Sequence, residues 1–488
     1  LFSTISCRSI ETVDSTNTDN IIEVSTRTKT EIAVDNFVHL PKIENASVGI
    51  SVVNLENNKI LYERNSNISL VPASNLKLLT TGIALETLGR DYRFKTTITY
   101  DGEIKPNGTL EGNIYIIGGG DPTLGSKYLV AKDPGHITKV EKKKQLEFLD
   151  RWIEQIKKMG IKRIDGMVVA DPSYLPKTTL SPTWEWGDLR YYFASHPSGL
   201  TFMDNNIRLT LRRDGSDIRS EVSPSYSDTK ITNRVKVNKE KKSKITIVAV
   251  PYSNEIITLG TLNKSEVSYT TVMQDPASTL AKVFSNTLKL NGIDNNGSRL
   301  RKDKNNIERD KKDGKMTEIY VNYSPKLEKI ISYTNKYSVN LFAEHIKLEV
   351  EKKTGKKIKD LWSERVDTRG LYIYDGSGLS RYDGVTPKTI VEVLKYMERS
   401  REFKSYYNSL AEPKKSGTLK FFSGESVLVD NLHGKSGTLT GVKSYSGYIN
   451  NIEGDIVGFS IIVNHHGMNG TKISKELEKI MESIYYLK

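Results

Sequence analysis

The spacing of apolar positions changes several times along the chain, and each change predicts a different element. Over 46–65, Val48, Ile50 and Val52 alternate with small residues, Glu56-Asn57-Asn58 supplies a turn, and Lys59-Ile60-Leu61-Tyr62 forms the return strand of a hairpin. Spacing then turns helical: Pro72 suits a first turn, Leu76, Leu79, Ile83, Leu85 and Leu88 recur with the helical period, and Gly89 stops the run. Between 92 and 271 the pattern breaks into short β-rich runs at 94–100, 113–117, 167–170 and 245–250, with one helical stretch at 141–159. Amphipathic helical patterns follow at 278–291 and 338–353. Strands at 439–450 and 455–464 flank a polar turn, and a last helix at 472–487 puts Ile473, Leu477, Ile480 and Ile484 on one face.

That order predicts an α+β body, residues 37–91 with 272–488, interrupted by a β-rich inserted region at 92–271. With 488 residues the chain exceeds what one core organises, so more than one domain is expected. A composition 37% apolar and 27% charged is that of a water-soluble globular protein, and no window holds the roughly 18 uninterrupted apolar residues of a spanning helix. Residues 1–36 are set apart as a disordered tether. Leu1 to Ser6 resembles the tail of an export signal, in which Cys7 would carry a lipid anchor, although Thr4 stands where such signals use Leu. The other reading is a frayed terminus.

Cys7 is the only cysteine, which excludes an intrachain disulfide and cysteine-based metal sites. A net charge of +13 favours anionic partners, but much of the excess sits in Lys-rich runs at 236–244 and 299–315 that read as solvated loops. Neither run interleaves aromatics, so no nucleic-acid partner is expected. His465-His466 lacks further ligands at metal spacing, and Gly118-Gly119-Gly120-Asp121 lacks the Lys-Ser/Thr of a phosphate loop. Neither metal nor other cofactor is expected.

Ser74-Asn75-Leu76-Lys77 sets a hydroxyl and an amine three residues apart at a helix start, on one face, where Lys77 can take the hydroxyl proton if burial lowers its pKa. Ser227-Asp228-Thr229-Lys230 repeats the pattern without an apolar stripe behind it and reads as a loop. Ser338-Val339-Asn340 opens a later helix and offers a hydroxyl and a carboxamide. Lys435-Ser436-Gly437-Thr438 stands at the start of a predicted strand, where Gly437 lets a substrate backbone approach and Lys435 with the hydroxyls can grip a carboxylate. Lys415-Ser416-Gly417-Thr418 is the alternative for that role, though no alternating strand follows it. Ser-x-x-Lys, Ser-x-Asn and Lys-Ser/Thr-Gly in this order are the signature set of penicillin-binding proteins and serine β-lactamases.

With these residues the chain resembles the D-alanyl-D-alanine carboxypeptidase/endopeptidase family of low-molecular-mass, class C penicillin-binding proteins, whose extra module separates the first two motifs. The likeness also rests on Gly118 to Leu124, Asp375-Gly376-Ser377-Gly378-Leu379-Ser380-Arg381 and Ser416-Gly417-Thr418-Leu419. It implies a five-stranded antiparallel sheet between helices, and an acyl-enzyme on Ser74 with Lys77 as base. Ser338 and Asn340 would assist proton transfer and positioning, Lys435 and Thr438 would bind the substrate's terminal carboxylate, and Ser436 and Gly437 would be further substrate-binding residues. It further implies peptidoglycan stem peptides as substrates, β-lactams as covalent inhibitors, and a periplasmic or cell-envelope location. Trp184-Glu185-Trp186-Gly187-Asp188-Leu189 resembles the acidic segment of the insert, which makes Asp188 with Arg381 the candidates for a zwitterionic stem side chain. Val339 and Ser436 depart from the family pattern but remove neither catalytic group. A β-lactamase or esterase on this scaffold, or a silent peptidoglycan-binding relative, are the rival readings.

Overall fold

The computed structural model describes residues 27–488 apart from 226, 228, 239–241, 250–251, 302–315 and 423–424. Cys7, the rest of 1–26 and much of both Lys-rich runs lie outside the described residues.

Alternation of apolar and small residues produces the central sheet. Its five strands are all antiparallel, in the order Leu432–Leu439, Val442–Asn450, Ile456–Asn464, Ser47–Asn54, Ile60–Arg64. Val48, Ile50 and Val52 stand opposite Val463, Ile461 and Phe459, and all six share one apolar cluster with Val34, Phe37, Ile473, Leu477 and Ile480. Helices Lys29–Val38 and Gly470–Tyr485 therefore cover that face. On the other face Gly49, Ser51, Gly458 and Ser460 are small, and an added Cβ at Gly49 would come within 2.9 Å of Pro387 Cγ. That close approach seats helix Pro387–Glu398, behind which helices Lys77–Leu88 and Asn340–Thr354 fill a second cluster. The predicted sheet between helices is the observed one.

Helix Lys29–Val38 corrects the tether reading for the described part of 1–36. Thr28 and Glu31 form a reciprocal capping box, Val34 and Phe37 are buried, and Ser483 Oγ donates to Thr30 Oγ1 at 3.1 Å. The stretch predicted as one strand at 439–450 is two strands turning at Gly441, whose φ is 72°. Lys435 consequently lies inside the edge strand Leu432–Leu439 rather than at a strand start.

The inserted region has its own five-stranded sheet, in the order Ser298–Leu300, Val168–Asp171, Ile114–Ile117, Lys95–Tyr100, Thr317–Tyr323. Leu280, Phe284 and Leu288 of helix Pro276–Leu290 pack in one core with Trp152, Ile116 and Val168. The boundary expected at 271 thus cuts through a continuous unit, and the chain rejoins the body after Tyr323. Helical periodicity at 278–291 identified the helix but not which core takes its apolar stripe. Smaller three-stranded sheets complete the insert. Gly118 and Gly119 are explained by packing: an added Cβ would lie 2.1 Å from Gly199 O and Lys95 O respectively.

Candidate active site

Ser74 sits on a turn that the local sequence strains. Ala73 has φ 48°, a left-handed value costly for a residue with a Cβ, and Ala73–Leu76 forms a 3-10 turn that passes into the helix Lys77–Leu88. The turn holds Ser74 half-buried and aims Lys77 inward, where its side chain is completely buried.

Lys77 Nζ lies 2.9 Å from Ser74 Oγ, 2.7 Å from Asn340 Oδ1 and 2.7 Å from the Ser377 carbonyl oxygen. The orientation of Asn340 is set from the insert, because its Nδ2 donates to Phe193 O at 2.9 Å. A neutral amine has two hydrogens and one lone pair. With Asn340 and Ser377 accepting both hydrogens, the lone pair faces the Ser74 hydroxyl. Burial lowers the Lys77 amine to about 7, while Asp375, Glu344 and Asp383 pull it back up. Burial prevails because two of those acids are themselves pushed toward their neutral forms: Glu344 rises to about 7 and Asp383 well above its usual range, each chiefly through burial.

The loop that supplies Ser377 is built around one carboxylate. Asp375 Oδ1 accepts from the Ser377 and Gly378 N–H groups at 3.0 and 2.6 Å, and Oδ2 accepts from Ser380 N at 2.7 Å and from Trp184 Nε1 at 2.8 Å. Gly378, at φ 79°, is obligatory, since an added Cβ would stand 1.9 Å from Ala73 O. The Asp-Gly-Ser-Gly-Leu-Ser motif therefore braces the Ala73–Leu76 turn and ties the insert to the body through Trp184.

Across the cleft, Ser338 has φ 58° and precedes the helix Asn340–Thr354. Lys435, completely buried, donates to Ser338 Oγ at 2.9 Å and to Ser436 O at 2.7 Å. Burial, with Lys77 and Lys443 adding repulsion, holds its amine well below the ordinary value. Gly437 serves closer packing than the sequence implied: a Cβ there would stand 2.2 Å from Ser444 Oγ, 2.6 Å from Pro72 O and 3.0 Å from Ser74 N. Its first duty is thus to let the edge strand lie against the Ala73–Leu76 turn.

Ser74, Ser338, Asn340, Thr438, Asp188 and Arg381 line one cleft of about 690 Å³. Arg381 pairs with Glu185 at 2.5 Å and donates to Thr440 O at 3.1 Å. Asp188 borders the same cleft, its carboxyl raised by burial and by Glu185 and lowered by Arg381. The Arg381 partner is therefore Glu185, which the sequence reading did not single out. Lys415 stands apart, paired with exposed Asp430 at 2.6 Å and with Glu412 at 3.4 Å. Its neighbour Thr418 does reach the cleft and accepts from Ser436 Oγ at 2.8 Å. Lys230 opens a strand of the insert, and Asp228 beside it lies outside the described residues. Among the described residues no group of three His, Cys, Asp or Glu is arranged to hold a metal, and no helix is long and apolar enough to cross a membrane.

Comparison with known proteins agrees with this geometry. The chain is 26% identical to a D-alanyl-D-alanine carboxypeptidase of Actinomadura sp. (strain R39), over 89% of this chain and 80% of that one. It is 25% identical to the D-alanyl-D-alanine carboxypeptidase DacB of Haemophilus influenzae, over 86% of each. The crystal structure of penicillin binding protein 4 (dacB) from Haemophilus influenzae shares the fold with a TM-score of 0.77 at 23% identity, covering 93% of this chain and 98% of that one. A second crystal structure of that protein, complexed with a β-lactam, superposes with a TM-score of 0.72 at 22% identity, over 93% and 98% of the two chains. The D-Ala-D-Ala carboxypeptidase 3 (S13) family model matches residues 30–484, so the chain belongs to that family.

Proposed function

We propose that this protein is a serine-type D-Ala-D-Ala carboxypeptidase that cuts peptidoglycan stem peptides through an acyl-enzyme on Ser74. The observation that carries the reading is the buried Lys77 amine, 2.9 Å from Ser74 Oγ, lowered to about 7 and with both its other partners accepting. Ser74 Oγ attacks the carbonyl carbon between the two D-alanines and gives its proton to Lys77 Nζ. The oxyanion is met by the backbone N–H groups of Ser74 and Thr438. Collapse breaks the C–N bond, and the proton held by Lys77 passes by way of the Ser338 hydroxyl, against which Lys435 lies at 2.9 Å, to the departing D-Ala amine, leaving Lys77 neutral. Water then attacks the ester with Lys77 again as base and restores Ser74.

A penicillin presents a strained amide and a carboxylate to the same groups and acylates Ser74. Cleavage of a D-alanyl cross-link uses the same steps, so endopeptidase action is part of the proposal. The Glu185–Arg381 pair with Asp188 offers both charge signs to a zwitterionic stem side chain. Such a substrate places the enzyme in the periplasm or cell envelope, where a lipid on Cys7 would tether it. Incubation with a peptide ending in D-Ala-D-Ala and with cross-linked muropeptides, resolved by mass, tests the reading. Release of D-Ala is expected; rapid hydrolysis of penicillin without any D-Ala release would overturn it in favour of a β-lactamase.

A further inference from the structure

Both ends of the Lys-rich run at 236–244, whose pattern reads as a solvated loop, lie in strands of the insert. Lys230–Val237, Glu255–Leu262 and Lys244–Ala249 form a three-stranded sheet in that order. Alternation along the strands gives this sheet two unlike faces. Val235, Ile247, Ala249, Ile256 and Leu262 are buried in the core of the insert. On the opposite face Arg234 stands beside Leu259 and Thr246, and Lys236 and Lys244 flank Thr261 from either side. All three cations are exposed.

In the neighbouring sheet of the insert the arginines are paired, Arg212 with Glu266 at 2.8 Å and Arg219 with Asp214 at 2.6 Å. Arg234, Lys236 and Lys244 have no acid within ion-pair distance among the described residues. Glu255, on the same face, accepts from Thr232 Oγ1 at 2.5 Å instead. The face therefore gathers positive charge that the fold leaves unbalanced. By strand geometry Arg234 and Lys236 are about 6.7 Å apart, and Lys236 and Lys244, two strand spacings apart, about 9.5 Å. Such spacing is too wide for one small anion and suits a chain that carries an anion in each short repeat. No aromatic ring stands at the outward positions of these strands, so a nucleobase has nothing to stack on. None of the three cations borders the catalytic cleft.

We propose that this sheet face is a docking surface for a linear polyol-phosphate polymer, whose successive phosphodiesters are held by Arg234, Lys236 and Lys244. Phosphate is the anion matched by the arginine fork as well as by lysine point charges. The inference is independent of the acyl-enzyme reading: it gives the insert an anchoring role while the cleft works on its own substrate. Lysines on edge strands also hinder strand addition, but that duty does not require the cations of both edges to share one face.

The test measures binding of the full chain to a poly(glycerol phosphate) chain by titration calorimetry, with glycerol phosphate monomer, single-stranded RNA and anionic phospholipid vesicles as parallel probes. Wild-type protein is expected to bind the polymer and not the monomer at equal phosphate concentration. Three phosphate contacts on a flexible polyanion give a log–log salt slope of about 2, so affinity falls roughly ten- to twentyfold between about 50 and about 200 mM salt. Combining Arg234→Gln, Lys236→Gln and Lys244→Gln should weaken binding at the lower salt by about tenfold or more and flatten the salt slope, with the thermal unfolding midpoint unchanged. The charge-keeping combination of Arg234→Lys, Lys236→Arg and Lys244→Arg should retain most of the affinity, which a merely structural role for these residues would not predict. No binding of the polymer by wild-type protein, or equal binding by wild type and the neutral variant, overturns the inference. Tighter binding of RNA or of vesicles than of the polymer overturns it too, in favour of a nucleic-acid or membrane surface. Aggregation of the neutral variant with polymer binding intact assigns the lysines to edge protection and likewise overturns it.

Discussion

Two lysines, Lys77 and Lys435, are completely buried in one cleft and both titrate below their ordinary value, yet their surroundings are opposite. Lys77 faces Asp375, Glu344 and Asp383, whereas Lys435 feels Lys77 and Lys443. Burial alone is enough to make an amine basic without being charged, so the neighbours determine what it does next. At Lys77 the two other partners are acceptors, which leaves a lone pair of the neutral amine facing the Ser74 hydroxyl. At Lys435 no acid intervenes, and an arriving carboxylate raises the amine again by supplying the missing opposite charge. One residue type thereby stands among acids at one end of the cleft and among cations at the other.

The comparison breaks most completely at Lys77. Lys77→Ala should lower kcat/KM for D-Ala release by about 10²–10⁴, the range for a general base, with the thermal unfolding midpoint showing that the fold persists. Activity within threefold of wild type would remove Lys77 from the mechanism. Gly437→Ala comes next. Its Cβ would stand 2.6 Å from Pro72 O and 3.0 Å from Ser74 N, so the nucleophile turn must shift, and acylation by penicillin should slow by roughly a hundredfold.

The two ends also differ in their pH signature. With Lys77 as the proposed base, lowered to about 7 by burial, kcat/KM should climb with pH up to about 7 and then level, falling about tenfold per unit on the acid side. A profile flat from pH 5 to 8 would contradict a lysine base. The smallest effect is expected at Lys415, whose partners Glu412 and Asp430 hold it at the surface; Lys415→Ala should change kcat/KM by less than about twofold. A loss of about a hundredfold or more would transfer the carboxylate role expected of Lys435 to the earlier motif.

How much of this the sequence disclosed follows from distance along the chain. Ser74 and Lys77 share one helical turn, so their contact was legible from spacing, and the central sheet from alternation at Val48, Ile50 and Val52. Lys435 against Ser338 became legible only through the order of motifs, because 97 residues separate them. The contact of Lys443 with Thr438 depends on cross-strand register, and the strand boundary at Gly441 is not visible in an unbroken β-rich pattern. The Phe193 carbonyl that orients Asn340 is a backbone group on an insert loop, which no residue type announces. Helix Lys29–Val38 is hidden from a reading of 1–36 as tether by the Ser-, Thr-, Asn- and Asp-rich residues that precede it; its Thr28–Glu31 capping box is the signal available.

The most direct measurement is covalent labelling by a fluorescent penicillin followed by mass mapping of the labelled peptide. One adduct is expected, on the peptide carrying Ser74, strongly slowed in Lys77→Ala. An adduct on Ser338 or any other residue, or no adduct at all, would contradict Ser74 as the nucleophile.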